Sequence, residues 1–385
     1  MRIKNIIVLG MYPYPWHEKT ISDTMRSMTR AFKGKKRIFI NPSVGFQRAV
    51  RENYSFAMDW ACRDDSGVIV CTPPLETIPS SFGLGSMKNS WVNKRLASLM
   101  ASLLGDDWRE DSLLYLSSGG IGQSYQTMMA LKPKRMAFDI LDDNLGFPGI
   151  RPDEKAVLED RFRELVNKAN VVTAVSPYLV EKFSAKFQND IHLLPNGLDV
   201  ERFSYRPEYA RPIAELNGLE RPVIGFIGAL TSWIDFELIL KMAEHIKTGS
   251  IALVGPIYST AVSQLKGHPR IRFIDSIPYE RVPHFLYQFD ILLLPRNYEP
   301  HSLASDPLKL YEYMATGKPV LSTALPSAMR FQDVIYVGKT HQDILDLLGK
   351  IPAHWSSEQS LAEIQRVASM DWHQRAERLL RWIED

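Results

Sequence analysis

The chain has 385 residues, of which 45% are hydrophobic and 23% are charged, and its formal net charge is +2. This composition excludes a disordered or collagen-like chain, and the length suits two domains of roughly 100–200 residues, each able to bury its own core. The small net charge argues against a protein that binds nucleic acid with its whole surface.

Cysteine content and apolar runs indicate a cytoplasmic protein. Cys62 and Cys71 are too few for a disulfide framework and form no CxxC pair, so we expect both thiols to be reduced. The apolar run at 6–10 is too short for the core of a signal peptide. No run approaches the roughly 18 apolar residues of a membrane span. We therefore expect a soluble protein, or one bound peripherally to the cytoplasmic face of the membrane.

Short, β-rich apolar runs alternate with longer helical patterns along the chain. Several runs are continuous rather than alternating, as in strands that are buried on both faces of a parallel sheet. Helices are predicted between them, for example at 154–169, 177–187 and 236–245. This repeated βαβ pattern predicts an α/β protein. The predicted strands are 6–10, 37–41, 68–72, 113–117, 136–141, 171–175 and 191–194 in the first half, and 223–228, 251–255, 271–274, 291–295, 320–323 and 335–337 in the second.

Residues 196–222 mark the boundary between two domains, because they are rich in turn residues (PNGLDVERF and YRPEYARP) and carry no strong periodicity. We predict one domain over 1–200, a second over 201–356, and a C-terminal helix over 357–385 that includes Trp372. Two doubly wound sheets joined in this way would face a cleft at the carboxyl ends of their strands.

Residues 305–323, SDPLKLYEYMATGKPVLST, predict a capped helix followed by a strand. Asp306 is expected to cap the helix and Pro307 to be its first residue. Gly317 suits the position after the last helical residue, and Pro319 prevents the helix from continuing.

Lys309 and Glu312 share one face of this predicted helix. A helix that starts after the carboxyl end of a strand attracts anions, and Lys309 adds a cation in its first turn. Glu312 lies one turn deeper, where it could accept hydrogen bonds from a diol such as a ribose. Phosphate followed by diol is the order in a nucleotide. The alternative is a surface Lys–Glu pair that stabilises the helix by a few tenths of a kcal/mol.

Sequence pieces across most of the chain resemble, in order, those of GT-B glycosyltransferases. The pieces are VVTAVSPYLVEKF with LPNGLDVERF, VIGFIGALTSWIDFELI, SIPYERVPHFLYQFDILLLP, and PLKL with YEYMATGKPV. The resemblance implies two Rossmann-like domains that face a cleft, the first binding the acceptor and the second binding a nucleotide-sugar donor. It also implies that the C-terminal helix with Trp372 crosses back to the N-terminal domain. The similar enzymes act in bacterial exopolysaccharide and cell-surface glycan synthesis.

The same resemblance implies roles for single residues in the second domain. Lys309 would contact the donor diphosphate and Glu312 the nucleotide ribose. The backbone amides of Leu308 and Lys309 would lie at the phosphate. Gly228 and Leu230 would lie beside the donor. Arg296 could add positive charge there, and an ordinary surface arginine is the alternative.

One position departs from the large retaining family that carries this signature. In that family a first glutamate is separated by seven residues from the second, and here Ala304 occupies its place. The PLKLYEY variant also resembles inverting glucuronosyltransferases of the xanthan type. The inverting or retaining outcome therefore stays open at this stage.

Asp142 and Asp143 follow a buried strand in MAFDILDDNLGFPG. Attack by a sugar hydroxyl requires removal of its proton, which a positioned carboxylate can perform. Asp142 is the first candidate for this base, because it matches the aspartate that is the base in the xanthan-type enzymes, and Asp143 is the second. A simple Asp-Asp-Asn turn at the end of a strand is the alternative.

Three further residues lie in loops after predicted strands, where a sheet-end ligand is expected: Gly10, His17 and Gly119. The SSGGIG sequence around Gly119 is not a full GxGxxG, which argues against a dehydrogenase.

No metal-binding motif stands out. Lys309, the start of its helix and Arg296 could neutralise a leaving diphosphate without a metal, so we expect neither metal nor cofactor.

The sequence therefore predicts an enzyme that transfers a sugar from a nucleotide-diphosphate sugar, with UDP favoured, to a glycan or lipid-linked acceptor. A nucleotide-sugar epimerase and a non-catalytic sugar-binding subunit of a polysaccharide complex are the alternatives.

Residues 82–104 combine an apolar stripe with Lys88, Trp91, Lys94 and Arg95. Such a helix could lie on the anionic inner membrane, or pack inward as an ordinary surface helix. No nucleic-acid partner is expected.

Overall fold

A computed structural model describes residues 2–10, 24–41, 61–63, 66–72, 85–147, 150–352 and 357–385. The described chain forms two compact units. Unit 1 contains the described residues up to Pro195 together with His373–Asp385, and unit 2 contains those from Asn196 to Trp372. The change of unit at Asn196 coincides with the start of the turn-rich segment 196–222.

Unit 1 is built on a mostly parallel sheet with the strand order β3-β4-β2-β1-β5-β6-β7-β8. Among its described strands, only β3 and β4 pair in the antiparallel direction. The central strands are fully buried, which explains their continuous apolar sequences. Its strands are β1 (Asn5–Leu9), β2 (Lys36–Ile40), β3 (Ala61–Arg63), β4 (Ile69–Cys71), β5 (Ser112–Ser117), β6 (Arg135–Ile140), β7 (Val171–Ala174) and β8 (His192–Leu193).

Helices of unit 1 pack on this sheet through large apolar side chains. Phe162 meets Phe138 of the sheet with ring centroids 5.0 Å apart and stacks on Phe183 at the same distance. The described helices are α1 (Thr24–Ala31), α2 (Gly85–Leu104), α3 (Trp108–Asp111), α4 (Ile121–Leu131), α5 (Pro152–Lys168) and α6 (Pro177–Phe187). Cys71 lies buried in β4.

A buried ion pair joins the end of the chain to the unit 1 sheet. The Arg375 guanidinium donates to the Asp139 carboxylate on β6 at 2.6 Å. Asp139 also accepts hydrogen bonds from the hydroxyl groups of Thr173 (2.7 Å) and Tyr115. Because these groups are buried, each depends on its partners for hydrogen bonding, and the network fixes the last helix to the sheet.

Unit 2 contains a fully parallel sheet with the order β11-β10-β9-β12-β13-β14. Alternate residues of β9 pack on opposite faces, Ile224 and Phe226 on one and Val223 and Ile227 on the other. Its strands are β9 (Val223–Ile227), β10 (Ser250–Val254), β11 (Ile271–Ile274), β12 (Ile291–Leu294), β13 (Val320–Thr323) and β14 (Tyr336–Gly338). Its helices are α7 (Val200–Phe203), α8 (Phe236–His245), α9 (Val282–Gln288), α10 (Pro300–Ala304), α11 (Leu308–Met314), α12 (His341–Leu348) and α13 (Ser357–Ala368).

The C-terminal segment differs from the single helix that we predicted over 357–385. It forms two helices, α13 and α14 (Trp372–Glu384). Helix α13 packs within unit 2, where the Ser360 hydroxyl donates to the Gly317 carbonyl at 2.7 Å. Only α14, from His373 onward, belongs to unit 1. Burial explains the division, since Val367 of α13 lies in the core of unit 2, whereas Arg375 of α14 pairs with Asp139 of the unit 1 sheet.

Helix α2 covers most of the segment 82–104 that could contact a membrane. It packs against α4, with Leu96 and Met100 buried, while Lys94 and Arg95 are exposed. Across the described ranges, every helix is too short or too polar to cross a bilayer.

Candidate functional site

Helix α11 begins at Leu308 and ends at Met314, two residues before the end of the predicted helix. The chain then turns tightly, with the Gly317 N–H donating to the Met314 carbonyl at 3.1 Å. Gly317 has a φ of +63°, a left-handed conformation that glycine adopts without strain, as its predicted position after the helix requires.

The prediction that Asp306 caps this helix is wrong. Pro307 occupies the N-cap position, and no side chain caps the helix. The buried Asp306 carboxylate instead accepts hydrogen bonds from the Asn196 backbone N–H (2.7 Å) and the Tyr311 hydroxyl (2.8 Å), and Arg330 lies 3.7 Å away. A buried carboxylate needs such partners, so the chain is fixed immediately before α11.

Lys309 lies directly over Gly228, the residue that follows β9. A Cβ atom placed on Gly228 would be 2.3 Å from Cε of Lys309, so only glycine allows this approach. The Ile227 N–H donates to the Tyr313 hydroxyl of α11 at 3.0 Å, and the Gly228 N–H donates to the Val254 carbonyl at 2.8 Å. The structure thus brings together Lys309 and Gly228, which the sequence assigned separately to the donor.

Lys309 is a half-buried residue, and no carboxylate of the described residues lies within ion-pair distance of its ammonium. Burial lowers its pKa, and the nearby Arg296 guanidinium lowers it further. Glu312 opposes these effects from one helical turn away. An ammonium that has lost hydration and faces a second cation favours an anionic ligand.

Arg296 follows β12 and lies close enough to Lys309 to influence its charge. Its backbone N–H donates to the Thr323 hydroxyl at 3.1 Å, and its guanidinium lies 5.6 Å from the centre of the Trp233 ring. Two parallel strands therefore hold it at their carboxyl ends. The structure therefore places this arginine in the neighbourhood of Lys309.

Glu312 is buried, with 7% of its surface exposed. Its carboxylate oxygen Oε1 accepts a hydrogen bond from the Tyr279 hydroxyl at 2.9 Å. Burial raises the pKa of Glu312, whereas Lys309, Tyr279 and Arg202 lower it in that order. The sequence did not single out Tyr279 or Arg202, because no spacing rule connects them to a glutamate on α11.

Leu230 and Leu308, the remaining predicted donor contacts, differ in exposure. Leu230 is fully buried, and its N–H donates to the Pro256 carbonyl at 2.8 Å. Its side chain therefore belongs to the core under the turn at Gly228. Leu308 is partly exposed at the first position of α11, beside Lys309.

Asp142 and Asp143 have different surroundings at the end of β6. Asp143 is buried and paired with Lys182 at 2.5 Å, and Gly146 is packed so closely that a Cβ there would lie 2.1 Å from an Asp143 oxygen. Asp142 is half-buried, and its carbonyl accepts from the Asn144 N–H at 2.9 Å. Asp142 therefore has the more accessible carboxylate of the two.

The loop residues of unit 1 are only partly described. Gly10 is buried, and its N–H pairs with the end of β2 at 2.9 Å. Gly119 is exposed in a turn after β5, and the adjacent Ser118 hydroxyl accepts from the Leu141 N–H at 3.1 Å. Gly119 thus lies beside the loop that carries Asp142. His17 is outside the described residues.

Within the described ranges, no group of three or more His, Cys, Asp or Glu side chains is arranged to hold a metal ion. A cavity of about 820 Å³ lies at the amino ends of the unit 2 strands, where Pro222, Ile291 and Lys318 line it. It is at the opposite edge of the sheet from Gly228 and is separate from the Lys309 site.

Comparison with protein families identifies part of unit 2. Residues 221–347 match the family Glycosyl transferases group 1. This region runs from the start of β9 into α12, so it contains Gly228, Arg296, Lys309 and Glu312.

Curated relatives match about half of the chain. The Bacillus subtilis (strain 168) protein TuaH, named for teichuronic acid biosynthesis and as a glycosyltransferase, is 29% identical over 184 residues, 46% of each chain. The GDP-mannose-dependent alpha-(1-6)-phosphatidylinositol monomannoside mannosyltransferase of Mycolicibacterium smegmatis is 27% identical over 180 residues, 43% of this chain and 47% of its own. The chain therefore spans under half the length of the relatives it matches.

Solved structures match over nearly the whole chain. Sucrose-phosphate synthase from Thermosynechococcus elongatus has a TM-score of 0.70 at 13% identity, covering 98% of both chains. Anabaena HepE in complex with UDP has a TM-score of 0.66 at 14% identity, covering 99% of both chains. The predicted α/β class and GT-B fold are thereby confirmed.

Proposed function

We propose that this chain, a GT-B protein with a group 1 glycosyltransferase domain in its second unit, transfers a sugar from a nucleotide-diphosphate sugar to a glycan or lipid-linked acceptor. The observation that carries the proposal is the half-buried Lys309, packed over Gly228, without an ion pair to any described residue, and one helical turn from the buried Glu312. Such a cation and carboxylate match the diphosphate and ribose of a nucleotide.

Lys309 and Arg296 would neutralise the diphosphate as it leaves the sugar. Charge that develops on the leaving group is stabilised best by groups already fixed in place. The turn at Gly228 and the partners of Arg296 supply that rigidity. The backbone amides of Leu308 and Lys309 would lie at the same phosphates, and no metal is required in this scheme.

Asp142 would remove the proton from the attacking acceptor hydroxyl. Its half-buried position suits this role better than the position of Asp143, which Lys182 already neutralises. Ala304 supplies no carboxylate at the place of the first glutamate of the retaining signature. We therefore favour inversion at the sugar carbon, in a pathway of bacterial cell-surface polysaccharide synthesis.

Nucleotide binding tests the donor site. Isothermal titration of the full chain with UDP, GDP, ADP and dTDP should reveal one favoured nucleoside diphosphate, and we expect UDP. Lys309→Ala and Glu312→Ala should each weaken its binding by about tenfold or more, because each removes a charge-assisted contact. Lys318→Ala is the matched control, since it is also a half-buried lysine but lies at the other edge of the sheet. Unchanged affinity in both site variants would overturn the assignment.

Transfer assays test the base and separate the alternatives. Asp142→Asn should bind the nucleotide as the wild type does and lose sugar transfer. Conversion of the donor sugar without any acceptor would instead identify an epimerase. Binding without any turnover, across glycan and lipid-linked acceptors, would identify a non-catalytic subunit.

Peripheral membrane contact through α2 is part of the same proposal. Exposed Lys94 and Arg95 on that helix suit an anionic lipid surface. Co-sedimentation with vesicles that contain phosphatidylglycerol, but not with neutral vesicles, would support the contact, and a Lys94→Glu, Arg95→Glu variant should abolish it.

A further inference from the structure

Glu312 can bind a ribose well only if the plane of its carboxylate is fixed. The last torsion of a glutamate side chain has a broad preference, so a free carboxylate rotates. Here the Tyr279 hydroxyl donates to Oε1 at 2.9 Å, and no other donor among the described side chains and amides reaches the carboxylate. One hydrogen bond thus orients the group and leaves its remaining acceptor positions for a ligand.

Tyr279 is itself held from the other side of its ring. The Arg202 guanidinium lies 4.9 Å from the ring centre, and the Phe203 ring meets its edge at 6.1 Å. Arg202 is fixed in turn by Asp199, which accepts from its backbone N–H at 3.1 Å and from its guanidinium at 3.3 Å. A chain of contacts therefore runs from Asp199 through Arg202 and Tyr279 to Glu312.

The segment that carries Arg202 supports the donor helix at a second point. Asn196, six residues before Arg202, donates its backbone N–H to the Asp306 carboxylate and its side-chain amide to the Asp306 carbonyl, both at 2.7 Å. The segment PNGLDVERF therefore contacts Asp306, just before Lys309, and also Tyr279, the hydrogen-bond partner of Glu312.

We propose that Tyr279 is a positioning residue for Glu312 and that Arg202 holds Tyr279 in its working orientation. This inference rests on the proposed role of Glu312 at the ribose. A specific consequence follows, because the groups that orient Glu312 also favour its ionised form. They oppose the burial that favours the neutral acid.

The charged and titratable groups that face Glu312 decide the pH dependence. Lys309 lies on its own helix, Tyr279 on the turn before α9, and Arg202 on α7, and all three lower the pKa that burial raises. Loss of the Tyr279 hydroxyl removes one of these three contributions. A larger fraction of Glu312 is then protonated than in the wild type, and this difference disappears as the pH rises well above the pKa of Glu312.

Binding of two probes at two pH values tests the inference. UDP, or GDP if the screen above favours it, reports the diphosphate and the ribose together, whereas inorganic pyrophosphate reports the phosphate part alone. We expect Tyr279→Phe to weaken nucleoside diphosphate binding about tenfold at pH 6 and clearly less at pH 8.5. Pyrophosphate affinity should stay at the wild-type value. Arg202→Met should give a smaller loss with the same pH trend.

Tyr287→Phe is the matched control. Its hydroxyl donates to the Phe203 carbonyl at 3.0 Å, in the same region but away from Glu312. It should bind both probes as the wild type does. Wild-type affinity of Tyr279→Phe at both pH values, or an equal loss for nucleotide and pyrophosphate, would overturn the positioning role while the donor site stands. Failure of the wild type to bind any nucleoside diphosphate would instead overturn the proposed function and this inference with it.

Discussion

Glu363 is a buried carboxyl group whose replacement should make the protein more stable. It lies fully buried on α13, and neither carboxyl oxygen meets a donor in hydrogen-bond geometry within the described structure. The Val320 backbone N–H lowers its pKa in part, but burial dominates and raises the pKa to about 9. Glu363→Gln keeps the shape of the side chain and removes its ionisation.

The sign and size of the effect follow from the two pKa values. The pKa of Glu363 rises from its ordinary value of 4.5 to about 9 on folding, so ionisation increasingly favours the unfolded chain as pH rises between these values. At pH 7 the solution is about 2.5 pH units above the ordinary value, and each unit corresponds to about 1.4 kcal/mol. Ionisation of Glu363 should therefore lower the free energy of unfolding of the wild type by about 3 kcal/mol at pH 7, and by under about 1 kcal/mol at pH 5, relative to a side chain that stays neutral.

Urea unfolding of the full chain at pH 5, 7 and 8.5, followed by circular dichroism, measures this difference. Glu363→Gln should exceed the wild type by a margin that grows with pH. Glu358→Gln on the same helix is the control, since Glu358 is exposed and its loss should change little at any pH. A margin that stays constant with pH, or a variant less stable than the wild type at pH 8.5, would refute the reasoning, because either result means that the folded chain accommodates the charge.

Two further substitutions test other buried contacts. Arg375→Met should destabilise unit 1 by about 3–5 kcal/mol in urea unfolding, because it leaves the buried Asp139 carboxylate without its cation. The control Arg378→Met, at an exposed arginine, should have little effect. A small loss of stability for Arg375→Met would show that the ion pair adds little. Gly228→Ala should weaken nucleoside diphosphate binding about tenfold in isothermal titration, since its methyl group must displace Lys309. The control Gly349→Ala, where the nearest atom to the added methyl group is 3.7 Å away, should bind as the wild type does. Wild-type affinity of Gly228→Ala would mean that Lys309 tolerates the shift.

The strands and helices could be predicted well where a buried position showed directly as an apolar residue in the sequence. Continuous apolar runs marked the buried strands, because strands of a parallel sheet face helices on both sides. Strand β3 was missed because its three residues, ACR, form no apolar run, and its place comes from antiparallel pairing with β4. The division of the C-terminal segment between two units was missed for a related reason, since an apolar stripe does not reveal which sheet it meets.

The residues of the candidate site could be predicted where they lie close together in the sequence. Lys309 and Glu312 were found by their spacing on one helix, and the structure brings Gly228 and Arg296 to them. The expected cap at Asp306 failed because a tertiary contact with Asn196, 110 residues away, takes its carboxylate. Tyr279 could not have been found by spacing, because its contact with Glu312 depends on how a turn folds back onto α11.

Lys309 and Lys318 show why position on the sheet decides which cation forms a site. Both are half-buried, and burial lowers the pKa of each. Lys318 follows the turn at Gly317 and lies at the amino ends of the strands, where Asp290 raises its pKa and Arg221 lowers it. Lys309 lies at the carboxyl end of β9, over a glycine and beside Arg296. Ligands of open parallel sheets bind at the carboxyl ends, so the sheet position favours the proposed donor site at Lys309 and not at Lys318.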